Sequence, residues 1–101
     1  MIGTHWHDDH TGGNEKFGQA GAIIIAQESV RKRLSEGQFM KAFNTHVHLE
    51  SAEALSVVTN REGLWNVDDI VIACVGPVHT VGDLFINFRN TNIIHSVDLY
   101  F

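Results

Sequence analysis

The chain has 101 residues, 44% of them hydrophobic and 19% charged, with a formal net charge of −5. That composition describes a folded globular chain rather than a disordered one, and at this size a single small core with little spare stability is expected. With seven Lys and Arg against twelve Asp and Glu, no surplus of cations exists to neutralise phosphates, so nucleic acid is not an expected partner.

From the N-terminus, Ile2 to His10 reads as the end of a strand running into a loop, with no basic and apolar leader ahead of it. Thr11-Gly12-Gly13-Asn14 breaks the chain, and residues 15 to 19 suit a short helix. The run Ala22-Ile23-Ile24-Ile25-Ala26 is short, apolar and largely β-branched, as in a strand buried on both faces. It is far shorter than the ~20 apolar residues a membrane span needs. A helix over residues 27 to 36 follows, with Val30 and Leu34 on one face, Glu28 early, Arg31, Lys32 and Arg33 late, and Gly37 as a stop. The basic trio reads as a solvated face.

Residues 37 to 51 have no clean period, and a short helical turn is expected around Phe39 to Phe43. Ser56 to Thr59 suggests a short strand, and Ile70 to Val75 a second buried one, ended by Gly76-Pro77. Leu84, Ile86 and Phe88 alternate as a strand. Asn90 marks a turn and residues 92 to 96 return, which predicts a hairpin. Strands interleaved with helices early and a hairpin late give a mixed α/β layered architecture. Cys74, the lone cysteine, forms no internal disulfide and does not fix the redox compartment.

Seven of the residues are histidines, and their placement is the informative feature. In Thr4-His5-Trp6-His7-Asp8-Asp9-His10, four potential metal ligands (His5, His7, Asp9 and His10) fall within six residues. An extended segment points His5 and His7 to the same side, so they can grip one ion together. Past His7 the chain must turn, which lets Asp9 and His10 face a second ion, and Gly12 and Gly13 permit a sharp path close to the site. Imidazoles and carboxylates packed this densely repel or stay unsatisfied without a cation.

Residues 4 to 14, HxHxDH followed by GGN, resemble the metal-binding motif of the metallo-β-lactamase superfamily, which includes glyoxalase II-type thioesterases, lactonases and phosphodiesterases. Residues 21 to 34 are similar to the strand and helix that follow that motif in many members. Gly76-Pro77-Val78-His79-Thr80-Val81-Gly82-Asp83 resembles the second motif, whose histidine is a ligand. Asn92-Ile93-Ile94-His95-Ser96-Val97-Asp98 resembles the strand that delivers a bridging aspartate.

The resemblance implies a partial αββα sandwich, taken as one partial domain over residues 1 to 101, from a zinc-dependent hydrolase. His5, His7 and His79 would hold a first Zn2+. Asp9 and His10 would hold a second, with Asp98 bridging. Metal-bound hydroxide would attack an ester, thioester, β-lactam amide or phosphoester in a small-molecule substrate. Asp9 is the expected catalytic residue, orienting the nucleophile and accepting a proton, and Thr80 a supporting neighbour of the ligand set. Asp8 sits at a position variable in the family pattern and is expected to be exposed or supporting. Trp6, between two ligands, is expected to pack against the core. Asp83 reads either as a stabiliser of the His79 loop or as a polar residue opening a strand, and His95, odd-spaced from Asp98 on a strand, reads as structural. The second HxH, Thr45-His46-Val47-His48, is set aside as a variable loop.

Three departures stand out. Members carry strands before the first motif, whereas Met1 here is three residues before Thr4. They continue to a final histidine that completes the second metal site. They also commonly have glycine where this chain has Val97. A fragment of a longer hydrolase is the expectation. Its rival is a catalytically weak zinc-binding remnant that holds a single ion, and a diiron relative is a third possibility.

Overall fold

The computed structural model describes residues 1–37, 39–41, 44–46, 53–55, 57–59 and 64–100. Two small sheets, a further two-stranded pair and short helices make up the described chain. In the first sheet β1 (Ile2–Gly3), β2 (Ile25–Gln27) and β5 (Val57–Thr59) run parallel in the order β1-β2-β5. Ile2 pairs with Ile25 and Gly3 with Ala26, while Ala26 also faces Val58 on the other side. Between β1 and β2 lie α1 (Asp8–Thr11) and α2 (Asn14–Gln19), the second close to its expected bounds.

Strand β2 passes directly into α3 (Glu28–Ser35). Its start is capped by Gln27, whose side-chain oxygen accepts from the Ser29 N–H, and its end is followed by Gly37 in the left-handed region at φ 64°. Val30 and Leu34 are fully buried on one stripe of α3 and meet Ile24, Ala26 and Leu55, with Trp6 and Ala54 packed alongside. Within β2 Ile25 is half-buried and Ala26 and Gln27 are buried, while Ile23, ahead of the strand, is 63% exposed. The strand expected over residues 22 to 26 thus starts only at Ile25, and Ile23 lies outside its covered part. Arg31 Nη2 donates to the Leu55 carbonyl at 2.9 Å and ties the helix to the segment before β5.

Phe39–Met40 and Thr45–His46 form an antiparallel pair, β3 and β4, with Phe39 opposite His46. Asn44 takes φ 50° in the turn, a conformation its short polar side chain tolerates. The helical turn expected around Phe39 to Phe43 is replaced, at Phe39 and Met40, by strand pairing; residues 42 and 43 lie outside the described set.

The second sheet is antiparallel throughout, in the order β6 (Leu64–Val67), β7 (Ile70–Cys74), β8 (Leu84–Phe88) and β9 (Ile93–His95). Among its described side chains, Ile72, Ala73, Leu84 and Ile86 are buried. The expected β8–β9 hairpin forms, turning through a 3-10 segment at Arg89–Thr91 with Asn92 at φ 53°. Strand β9 stops at His95, however, and Asp98 lies in a second 3-10 turn, Val97–Leu99, rather than on the strand. The break falls at Val97, whose φ of 50° directs the chain out of the sheet. His95 is exposed, and the alternation of strand side chains does not relate it to Asp98.

Two contacts join the sheets where the site forms. The Leu84 N–H donates to the Thr4 carbonyl at 3.0 Å, so the end of β1 lies beside the start of β8. Gly82, at φ 99°, lies so close to the Gln27 side chain that a Cβ there would stand 2.7 Å from Gln27 Oε1. Among the described residues, no helix is long and apolar enough to cross a membrane.

Candidate metal centre

The first histidine group comes from the turn between β1 and α1. His5 is 2% exposed, and its Nδ1 lies 3.3 Å from Thr4 Oγ1, which sets the ring's orientation. The segment bends rather than running straight, and it closes into a single helical turn at α1. The His10 and Thr11 N–H groups both reach the His7 carbonyl, at 3.0 and 2.9 Å, and Thr11 Oγ1 donates to the same oxygen at 3.0 Å. That reversal brings His10 back against His5, with ring centroids 4.1 Å apart.

Gly12 follows the turn, with its N–H donating to the Asp8 carbonyl at 2.7 Å. Gly12 at φ −61° and Gly13 at φ −87° are both right-handed, so the sharp path is made without a left-handed residue. What Gly12 provides is room, because a Cβ would lie 2.8 Å from the Asp8 carbonyl oxygen.

The second group comes from the loop between β7 and β8. Asp83 is 2% exposed and sits at the centre of that loop. Its Oδ2 accepts from the N–H groups of Val78 (3.1 Å), His79 (2.8 Å) and Thr80 (2.7 Å), while Oδ1 accepts from Thr80 Oγ1. Burial by itself would raise the Asp83 pKa. The donors from Thr80, His79 and Val78 outweigh it and hold the carboxyl below its ordinary range. Of the two readings the sequence left open for Asp83, these contacts favour the stabiliser of the His79 loop, and Thr80 acts through it.

Held this way, His79 presents Nε2 at 3.2 Å from His7 Nδ1, a contact spanning 72 positions of sequence. The donor atoms of His5, His7 and His79 lie within 4.8 Å of one another, as do those of His5, His10 and Asp98. Asp98 Oδ2 stands between the groups, 3.1 Å from His10 Nε2, 3.5 Å from His5 Nε2 and 3.8 Å from His79 Nε2. Five of the six expected ligands therefore converge, with His5 common to both clusters. Asp9 is half-exposed at the rim; its Oδ2 is 3.3 Å from His10 Nε2 but belongs to neither cluster.

The electrostatics leave the inner imidazoles neutral. Burial first, then the neighbouring His10 and His7, lower His5 to about 4, against the pull of Asp98. Burial and His79 lower His7, opposed by Asp9. His5 Nε2 is buried without a hydrogen-bond partner.

These observations fit a cation. Neutral imidazoles offer lone pairs, and two ligands 2.0–2.1 Å from a tetrahedral ion stand about 3.4 Å apart, close to the His7–His79 spacing. Imidazole and carboxylate donors suit zinc, iron or copper alike.

Two residues play parts the sequence did not assign. Arg33 is half-buried rather than solvated, although it belongs to the basic trio. Arg31 turns instead to the Leu55 carbonyl, and Lys32 lies 3.9 Å from Glu36. Arg33 lines a cavity of about 290 Å³ with His7, His79 and Val78. The available signal was its helical position, three residues after buried Val30 and next to Leu34. Trp6 packs against the core as expected, and it also lines this cavity. Val47 and His48 of the second HxH lie outside the described residues.

No protein-family model and no curated protein sequence matches the chain. Its backbone is similar to that of solved metallo-β-lactamases. One is the DIM-1 enzyme exposed to ceftazidime, at TM-score 0.67 and 18% identity, covering 94% of this chain and 38% of that one. Another is a HARLDQ-motif mutant of the metallo-β-lactamase from Cronobacter sakazakii, at TM-score 0.64 and 17% identity, covering 92% of this chain and 38% of that one. A further Cronobacter sakazakii HARLDQ-motif structure gives TM-score 0.60 at 17% identity, covering 84% and 35%. The fold is thus that of metallo-β-lactamases, and the chain spans 35–38% of the length of these structures.

Proposed function

We propose that this metallo-β-lactamase-like fold carries the metal centre of a zinc-dependent hydrolase. His5, His7 and His79 would hold one zinc. His10, Asp98 and Asp9 would hold a second, with Asp98 shared between them. When bound, zinc would supply Lewis acidity and bring the pKa of a water to about 7. Around that group the chain's own residues divide the work. Thr4 orients the His5 ring, Asp83 fixes the backbone that carries His79, and the Asp9 carboxylate, exposed at the rim, accepts a proton at Oδ2. The substrate would be an ester, thioester, β-lactam amide or phosphoester, a choice the ligands themselves do not make.

The observation that carries this reading is the pair of imidazole nitrogens from His7 and His79, 3.2 Å apart, beside a buried His5 nitrogen lacking a hydrogen-bond partner. Titrating chelator-treated protein with zinc tests it. Tight uptake is expected, and His79→Ala should weaken the first site by at least about 100-fold, since a catalytic site of three protein ligands loses one. Equal zinc affinity in the two proteins overturns the assignment.

A second reading, a one-zinc remnant without turnover, is favoured by Asp9 standing outside both donor clusters. Stoichiometry separates the two. Two ions per chain with hydrolysis supports the enzyme, and one ion without hydrolysis supports the remnant.

A further inference from the structure

Val78 and Val81 stand 60% and 37% exposed on the loop that carries His79. Apolar side chains scattered singly over a surface need no explanation. These two, however, line a common cavity of about 290 Å³ with Trp6 and Pro77. His7 and His79 line it too, and their nitrogens lie 3.2 Å apart, so the apolar wall is continuous with the proposed metal centre. Thr80 and Arg33 also border the cavity; the Thr80 hydroxyl donates to Asp83 Oδ1, and Arg33 has an interaction of its own.

The apolar wall is fixed in place. The Val78 N–H donates to Asp83 Oδ2 at 3.1 Å, and the His79 N–H reaches the same oxygen at 2.8 Å. One carboxylate therefore sets the spacing between valine and imidazole, and the loop cannot fold Val78 out of water without giving up that bond. Branching at Cβ leaves both valines few rotamers to lose. Trp6 packs against the core cluster, and its ring meets His7 edge-on with centroids 4.7 Å apart. A wall held open in this way takes up an apolar group at little ordering cost.

We infer that Val78 and Val81, with Trp6, are specificity-determining residues that select substrates carrying a compact, uncharged apolar group beside the bond to be cleaved. This rests on the hydrolase reading above and names the substrate class for that site. The volume lies at the small end of ligand pockets, which limits the group to a single ring or a short branched chain. Each methylene buried against such a wall strengthens binding by about fourfold.

The test compares cyclohexanol with oxan-4-ol, the same ring alcohol with one methylene replaced by oxygen. Binding is read from Trp6 fluorescence in a Trp65→Phe background, in chelator-treated and zinc-loaded protein. Cyclohexanol should bind more tightly by at least about fourfold in both states. The double variant Val78→Thr/Val81→Thr keeps the shape of both side chains and puts hydroxyls on the rim, so the preference should fall to about twofold or less. Val78→Thr alone, at the more exposed position, should remove part of it. Equal affinity for the two alcohols in the parent overturns the inference and needs no variant. So does a preference that survives the double substitution, or an equal loss for both alcohols, which would mean that the valines hold the cavity open rather than read polarity. Failure to take up zinc would defeat the hydrolase reading alone, because the chelated sample still decides what the rim selects.

Discussion

Two turns deliver donors to the cluster from the second sheet, and they hold them by opposite means. The His79 loop is built around one buried carboxylate, with Asp83 satisfying three consecutive N–H groups and a hydroxyl. The Asp98 turn is short, with Leu99 N–H donating to the Ser96 carbonyl at 3.0 Å, and it opens on a β-branched residue at φ 50°. Left-handed backbone costs a non-glycine residue about 1–2 kcal/mol, and valine is among the residues least suited to it. One donor is thus positioned by satisfied polar groups, and the other is reached through a strained step. The first arrangement resists displacement. The second is tolerated only because the surrounding structure enforces it.

The largest expected effect falls on the satisfied loop. Asp83→Ala removes a buried acceptor from three part-buried N–H groups, so a loss of about 3 kcal/mol in urea unfolding is expected, with zinc affinity down by about 10–100-fold. A variant with unchanged affinity would mean that the loop does not position His79. For the strained turn the sign reverses. Val97→Gly should stabilise the fold by about 1 kcal/mol, the relief of strain exceeding the added chain entropy of glycine. A lower melting temperature in that variant would show that the valine side chain contributes more than its backbone costs.

The smallest effect concerns pH. Because the folded state holds Asp83 below its ordinary range, its contribution is complete above that range and is lost as pH falls through the lower folded-state value. Melting temperature should therefore lose an acid-side component in Asp83→Asn, while Val97→Gly keeps it. Identical acid limbs in the two variants would remove the distinction between the turns.

What could be read from the sequence was the part governed by residue type. His5, His7 and His10 were expected together from their chemistry and spacing, and His79 and Asp98 from the family resemblance; all five converge. The β2–α3 unit was legible because Val30, Leu34, Glu28 and Gly37 each agree with a helix. Features decided by tertiary pairing were not. Strand β6 has no distinctive pattern of its own and is defined by its register against β7, through a turn with Asp68 at φ 50°. Phe39 and Met40 are strand because Thr45 and His46 lie opposite. Asp9 had the right chemistry, but the turn of α1 carries it to the rim while bringing His10 inward. The left-handed Val97 follows from where the chain must go next, which composition does not encode.

The Gln27 side chain has a wider consequence. Its one oxygen caps the helix that carries Arg33 and also abuts Gly82 in the segment that carries His79. The two walls of the cavity therefore share a mechanical pivot, and neither can shift far without loosening the other. Crowding at position 82 would be felt as fraying at the first turn of α3, some distance along the chain from the substitution itself.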